Sequence, residues 1–163
     1  MQKLFKATAV IGLMALMFGV GWLVAKSGAG QGVDPASLTE LEREFTERMR
    51  DVVLVGHFTI EGRAGLGGNP ERYEIKQVTK VSETQWRFDA RLTYASIDVT
   101  LPVTVPLVWA GDTPMVSITD FTIPTLGTFT ARVFFYGDRY AGSWQHGEYG
   151  GLMYGSIEPQ DAR

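Results

Sequence analysis

The chain has 163 residues, 45% hydrophobic and 20% charged, which suffices for one domain with a real core but not comfortably for two. It has no cysteine, which excludes disulfides, thiolate metal sites and lipidation on a cysteine. Removing Lys3, Lys6 and Lys26 from the 15 basic residues leaves 12 against 18 acidic ones, so the chain beyond residue 26 is acidic and ill suited to nucleic acid or anionic headgroups.

Residues 1–26 read as a membrane anchor or signal sequence. Lys3 and Lys6 precede an uncharged apolar run from Ala7 to Ala25, closed by Lys26. Its ~19 residues at ~1.5 Å each match the hydrocarbon thickness of a bilayer and exceed the usual signal-peptide core, which favours a retained anchor. Ser27-Gly28-Ala29 supplies the small residues of a cleavable signal, so secretion after cleavage is the alternative. The basic amino-terminal flank places the rest of the chain outside the cytoplasm at the cell membrane, in the periplasm if the envelope is Gram-negative.

Residues 27–36 read as a flexible spacer and 37–51 as an amphipathic helix. Ser37 with Glu40 has capping-box spacing, and Leu38, Leu41, Phe45, Met49 and Val52 form an apolar stripe, with Glu42, Arg43, Glu47 and Arg48 facing away. Such a helix closes the end or flank of a β domain.

From residue 52 to 158 the period changes from 3.6 to 2, most clearly where Trp86, Phe88, Ala90, Leu92 and Tyr94 alternate with polar residues. Eight strands follow, near 52–60, 72–81, 85–94, 97–108, 114–121, 128–136, 139–146 and 150–157, joined by short turns such as Gly111-Asp112 and Gly137-Asp138. Short connections make sequential antiparallel hairpins, and closure removes exposed edges. The fold expected is therefore mainly β, a small eight-stranded up-and-down barrel, with an antiparallel β-sandwich as the alternative. In outline it resembles the lipocalin and avidin type of barrel, a likeness of shape that transfers no ligand or residue role. Pro102 and Pro106 cannot donate to a ladder, so the fourth strand must be an edge, bulged or split. Residues 159–163 read as a disordered tail.

Candidate chemistry is sparse. His57 alternates with the solvent face, whereas His146 is in step with Tyr140 and Trp144 on the aromatic face. Asp120 alternates with Val116 and Ile118, so it either points inward or is re-aimed by a bulge. His146 and Asp120 are the weak catalytic candidates. Two histidines without ligand spacing imply no metal, and no cofactor motif is present. Gly62 to Pro70 reads as a hairpin loop, flanked by Arg63 and Arg72 as a weak anion clamp.

Two readings of function follow. The preferred one is a non-enzymatic envelope module that either binds a small apolar ligand, with Trp86, Phe88, Trp144, His146, Met153 and Gln77 as lining, or docks an envelope protein. A cavity of several hundred Å³ marks the binding version and a filled core the docking version. The alternative is an envelope hydrolase or isomerase using Asp120 or His146 in a cleft.

Overall fold

The structure, a computed structural model, describes residues 32–62, 68–123 and 126–160. The apolar run 7–25, the first part of the spacer, Arg63 and the last three residues of the tail lie outside the described residues. Among the described residues no helix is long and apolar enough to cross a membrane.

The helix begins later than the Ser37–Glu40 pairing predicts. Asp34 accepts from the Ala36 N–H, and Pro35 starts a single 3₁₀ turn, Pro35–Ser37, after which Leu38 is extended. The α-helix α1 (Glu40–Arg48) therefore nucleates afresh on Thr39. Thr39 Oγ1 accepts from the Glu42 N–H at 3.4 Å, and Glu42 Oε2 accepts from the Thr39 N–H at 3.0 Å, a capping box two residues later. That moves Glu42 from the expected wet face to the buried one, where its other oxygen accepts from Lys80 Nζ. Leu41, expected in the apolar stripe, is 41% exposed instead, while Phe45 and Met49 are buried.

Eight strands follow: β1 (Val52–Phe58), β2 (Asn69–Lys80), β3 (Gln85–Tyr94), β4 (Ile97–Ala110), β5 (Thr113–Ile123), β6 (Gly127–Tyr136), β7 (Arg139–His146) and β8 (Tyr149–Pro159). Each pairs antiparallel with the next, and β1 pairs with β8, so the sheet is a closed up-and-down barrel and not a sandwich. β2 starts at Asn69, which shortens the expected Gly62–Pro70 loop. Within that region Arg72 pairs with Glu74. At the far end, the Gln160 N–H donates to Asp51 O at 2.8 Å, so the chain remains engaged past β8 and into the expected tail.

Two bulges set which side chains face inward. In β2 the register shifts between Ile75 and Gln77. Asp51, at φ 50°, holds the extra residue: its N–H donates to Lys76 O, and Lys76 Nζ bonds its carboxylate. One inserted residue reverses the alternation, so Val78 is buried while Gln77 turns outward and donates to Asp89 Oδ2 at 2.7 Å. The expected inward amide of Gln77 is thus corrected. In β5 the register shifts between Ile118 and Phe121, and Asp120 sits at φ 48° with its N–H donating to Thr130 Oγ1. The Arg132 guanidinium satisfies Ile118 O and Thr119 Oγ1, and Asp120 is exposed.

The prolines mark a split. β4 pairs with β3 from Ile97 to Pro106 but with β5 only from Leu107 to Ala110. Pro102 and Pro106 therefore fall where the strand has no β5 partner to receive an N–H. The wall of the barrel is continuous at one end and parted between β4 and β5 toward the other.

The core is concentrated at the continuous end. Phe45 of α1 lies edge-on to Trp86 at 5.8 Å and to Trp109 at 6.0 Å, and tilts against Phe135 at 5.8 Å. Met49, wholly buried, completes this plug.

Candidate functional site

Beyond the plug the barrel is hollow. A cavity of about 560 Å³ extends toward the end that carries the β1–β2, β3–β4, β5–β6 and β7–β8 turns. Its floor is the stacked pair Phe88 and Phe135, centroids 6.3 Å apart, which touches α1 through Phe45. Its mouth is bordered by Ile60, Ile97, Leu126 and Tyr149. The wall is almost entirely apolar because the period-2 alternation of every strand delivers its apolar set inward, and plug and floor stop the interior from filling further.

Of the residues expected to line such a cavity, Phe88, Trp144, His146 and Met153 do so. Trp86 does not: it is 1% exposed under Phe45, part of the plug, with the Lys80 ammonium 5.9 Å from its ring. Gln77 does not either, for the bulge reason already given. His146 stands near the mouth, its ring edge-on to Phe129 at 4.4 Å and directly over Gly127, where a Cβ would come within 2.6 Å of its Cε1. Asp120 lies on the outer surface, so the two weak catalytic candidates do not share a cleft. His57 is on the outer face beside Tyr154, as its alternation predicts.

The residue that sequence reasoning missed is Glu71. It lines the cavity and is 4% exposed. Tyr73 Oη donates to Glu71 Oε2 at 2.6 Å, and Tyr140 Oη donates to Glu71 Oε1 at 2.8 Å. Tyr140 reaches it along one cross-strand row, Tyr140, Gly155, Gly56 and Glu71, over a slot left by the two glycines paired across β8 and β1. A Cβ at Gly56 would lie 2.3 Å from the Tyr140 hydroxyl, and one at Gly155 would lie 2.7 Å from Tyr140 Cε1. These glycines leave room for a side chain to cross the sheet's inner face. A signal for Glu71 was present: it shares the parity of Tyr73 and Ile75, ahead of the bulge.

Burial pushes the Glu71 carboxyl above the usual carboxylate range, outweighing the two phenol hydrogen bonds and the charge of His57, which pull it down. Both phenols are in turn driven well above the ordinary tyrosine range by burial and by the Glu71 charge, so they remain protonated donors. Burial also raises Tyr94, which sits opposite Glu71 in the β2–β3 register. The indole N–H of Trp144 is shielded and has no hydrogen-bond partner.

Four rings continue from Glu71 along the wall. Tyr73 meets Tyr94 at 6.4 Å, Tyr94 meets Phe58 at 6.4 Å, and Phe58 meets Trp144 at 5.8 Å, all edge to face. Among the described residues that line the cavity there is no lysine or arginine. Among the described residues no cluster of histidine and carboxylate side chains has the arrangement of a metal site. No family model, curated protein or solved structure matches the chain.

Proposed function

We propose that this barrel binds a small apolar molecule in its interior, as a carrier or sensor module held at the cell envelope. The observation that supports the reading is the apolar cavity of about 560 Å³, within the range typical of small-molecule sites. A domain built only to dock another protein gains nothing from such a void, since empty apolar space forgoes packing energy. The envelope part rests on the Ala7–Ala25 run between lysines, which suits a single pass with the β domain outside the cytoplasm.

The test is native mass spectrometry of the full chain purified without denaturant. A co-purifying mass that is lost on denaturation is the expected result and gives the ligand class. A bare mass, joined by failure of any apolar probe to quench Trp144, overturns the reading.

A docking role is the second reading, and one observation favours it. Phe134, Tyr136, Leu152 and Tyr154 are large, exposed side chains on β6 and β8. In the strand register Phe134 is opposite Ala141, and Ala141 opposite Tyr154, so they form one outward row across three strands.

A further inference from the structure

The cavity is not merely greasy. Among its described lining residues it has one carboxylate, Glu71. Glu71 is held by two phenol donors, one on each carboxylate oxygen, and each oxygen keeps a further acceptor site. Neither phenol carries a compensating charge, no lysine or arginine is among the described lining residues, and His57, whose charge bears on Glu71, is exposed on the outer face and makes no hydrogen bond to it. A carboxylate in such surroundings is an unbalanced charge that burial penalises. The same wall carries the row Tyr73, Tyr94, Phe58 and Trp144, whose negative ring faces attract cations more strongly when water is excluded.

Resting on the reading of the barrel as an apolar-ligand carrier, we propose that its ligand is an apolar amine, bound as the ammonium ion with its head at Glu71 and the aromatic row. The hydrocarbon part lies toward the Phe88 and Phe135 floor. The ammonium offsets the Glu71 charge and uses the remaining acceptor sites, so charge and hydrogen bonding are met together. A fatty carboxylate or phosphate meets the opposite condition: it would bring a second negative charge beside Glu71, with no lysine or arginine among the described lining residues to balance either one. The placement of Tyr140 supports this use of Glu71. Its hydroxyl, admitted by the Gly56 and Gly155 slot, holds the carboxylate on the cavity wall and fixes the direction of the free acceptor sites.

The experiment is calorimetric titration of the full chain with decylamine, 1-decanol and decanoate, which share a hydrocarbon tail and differ at the head. Decylamine should bind about tenfold more tightly than 1-decanol, with decanoate the weakest. In Glu71→Gln, which keeps the shape of the side chain and removes its charge, the ratio of decylamine to 1-decanol affinity should fall to about one. Tyr94→Leu leaves Glu71 and its two phenols in place and should lower the same ratio of decylamine to 1-decanol affinity, so the inference stays testable if the first variant does not fold. If 1-decanol binds but decylamine binds no better, or if the preference survives in both variants, the inference is overturned while the carrier reading stands. If none of the three binds, the carrier reading itself falls.

Discussion

The two ends of the barrel use the same materials to opposite effect. At the continuous end, α1 inserts Phe45 and Met49 among Trp86, Trp109 and Phe135, and the interior is filled. At the parted end, rings of similar size stand along the wall and leave space between them. Each end also buries one glutamate, and their partners differ. Glu42 hydrogen-bonds to a lysine and to Thr39 at the helix start; Glu71 hydrogen-bonds only to neutral phenols. A charge that is balanced within the protein belongs to structure. A charge left unbalanced inside a cavity is available to something else.

The comparison breaks most visibly if the plug is removed. Phe45→Ala takes away an aromatic side chain in contact with Trp86, Phe88, Trp109 and Phe135, and should cost about 3–5 kcal/mol of stability in urea unfolding. If the loss were under about 1 kcal/mol, the helix would be an appendage and the filled end would not hold the barrel.

The two glutamates sharpen it further, because they impose opposite pH dependences. At Glu42 burial raises the pKa, but the hydrogen bonds and charge of Lys80 and the Thr39 contacts outweigh it and hold the carboxyl below its ordinary value of 4.5. The folded state then binds that proton less readily than the unfolded chain, so this contribution is present above about pH 4.5 and is lost as the pH falls through the lowered pKa. Glu71 is raised from the same 4.5 by burial, so the folded state holds its proton more tightly. Its contribution is complete below about pH 4.5 and is lost as the pH climbs through the raised pKa. Thermal unfolding followed from about pH 3 to 8 should therefore show an acid limb that Glu42→Gln flattens and a neutral-side decline that Glu71→Gln flattens. Exchange of the two assignments would contradict the division of labour between the ends.

What the sequence made legible follows from what is local. Eight alternating segments with short turns are enough to state eight strands and to prefer closure, and Pro102 and Pro106 are enough to announce a break in the β4 ladder. Alternation is also what failed, because a single inserted residue at Ile75–Gln77 reverses the parity of the rest of β2, and nothing in the composition of that stretch marks the insertion. Simple alternation therefore turns Gln77 inward, whereas Glu71, before the bulge, has the inward parity of Tyr73 and Ile75. For Trp86 alternation gives the inward face but not its place in the plug, which depends on where α1 docks. The Gly56 and Gly155 slot was not legible at all: those residues lie 99 positions apart and matter only because β1 and β8 pair to close the barrel.

The smallest effect expected concerns Asp120, the carboxylate that sequence alternation made a candidate for catalysis. Its side chain is exposed, and only its backbone N–H is engaged, by Thr130 Oγ1. Its left-handed φ of 48° is one that asparagine adopts as readily as aspartate. Asp120→Asn should therefore leave stability within about 0.5 kcal/mol of the parent and leave decylamine binding unaltered. Asp120→Val tests the other half of the argument, because a β-branched residue resists the same backbone angle and should destabilise the β5 bulge. A loss of binding in Asp120→Asn would mean that the charge on the outer surface reaches the ligand, and Glu71 would no longer be the group that sets the cavity apart from the plugged end.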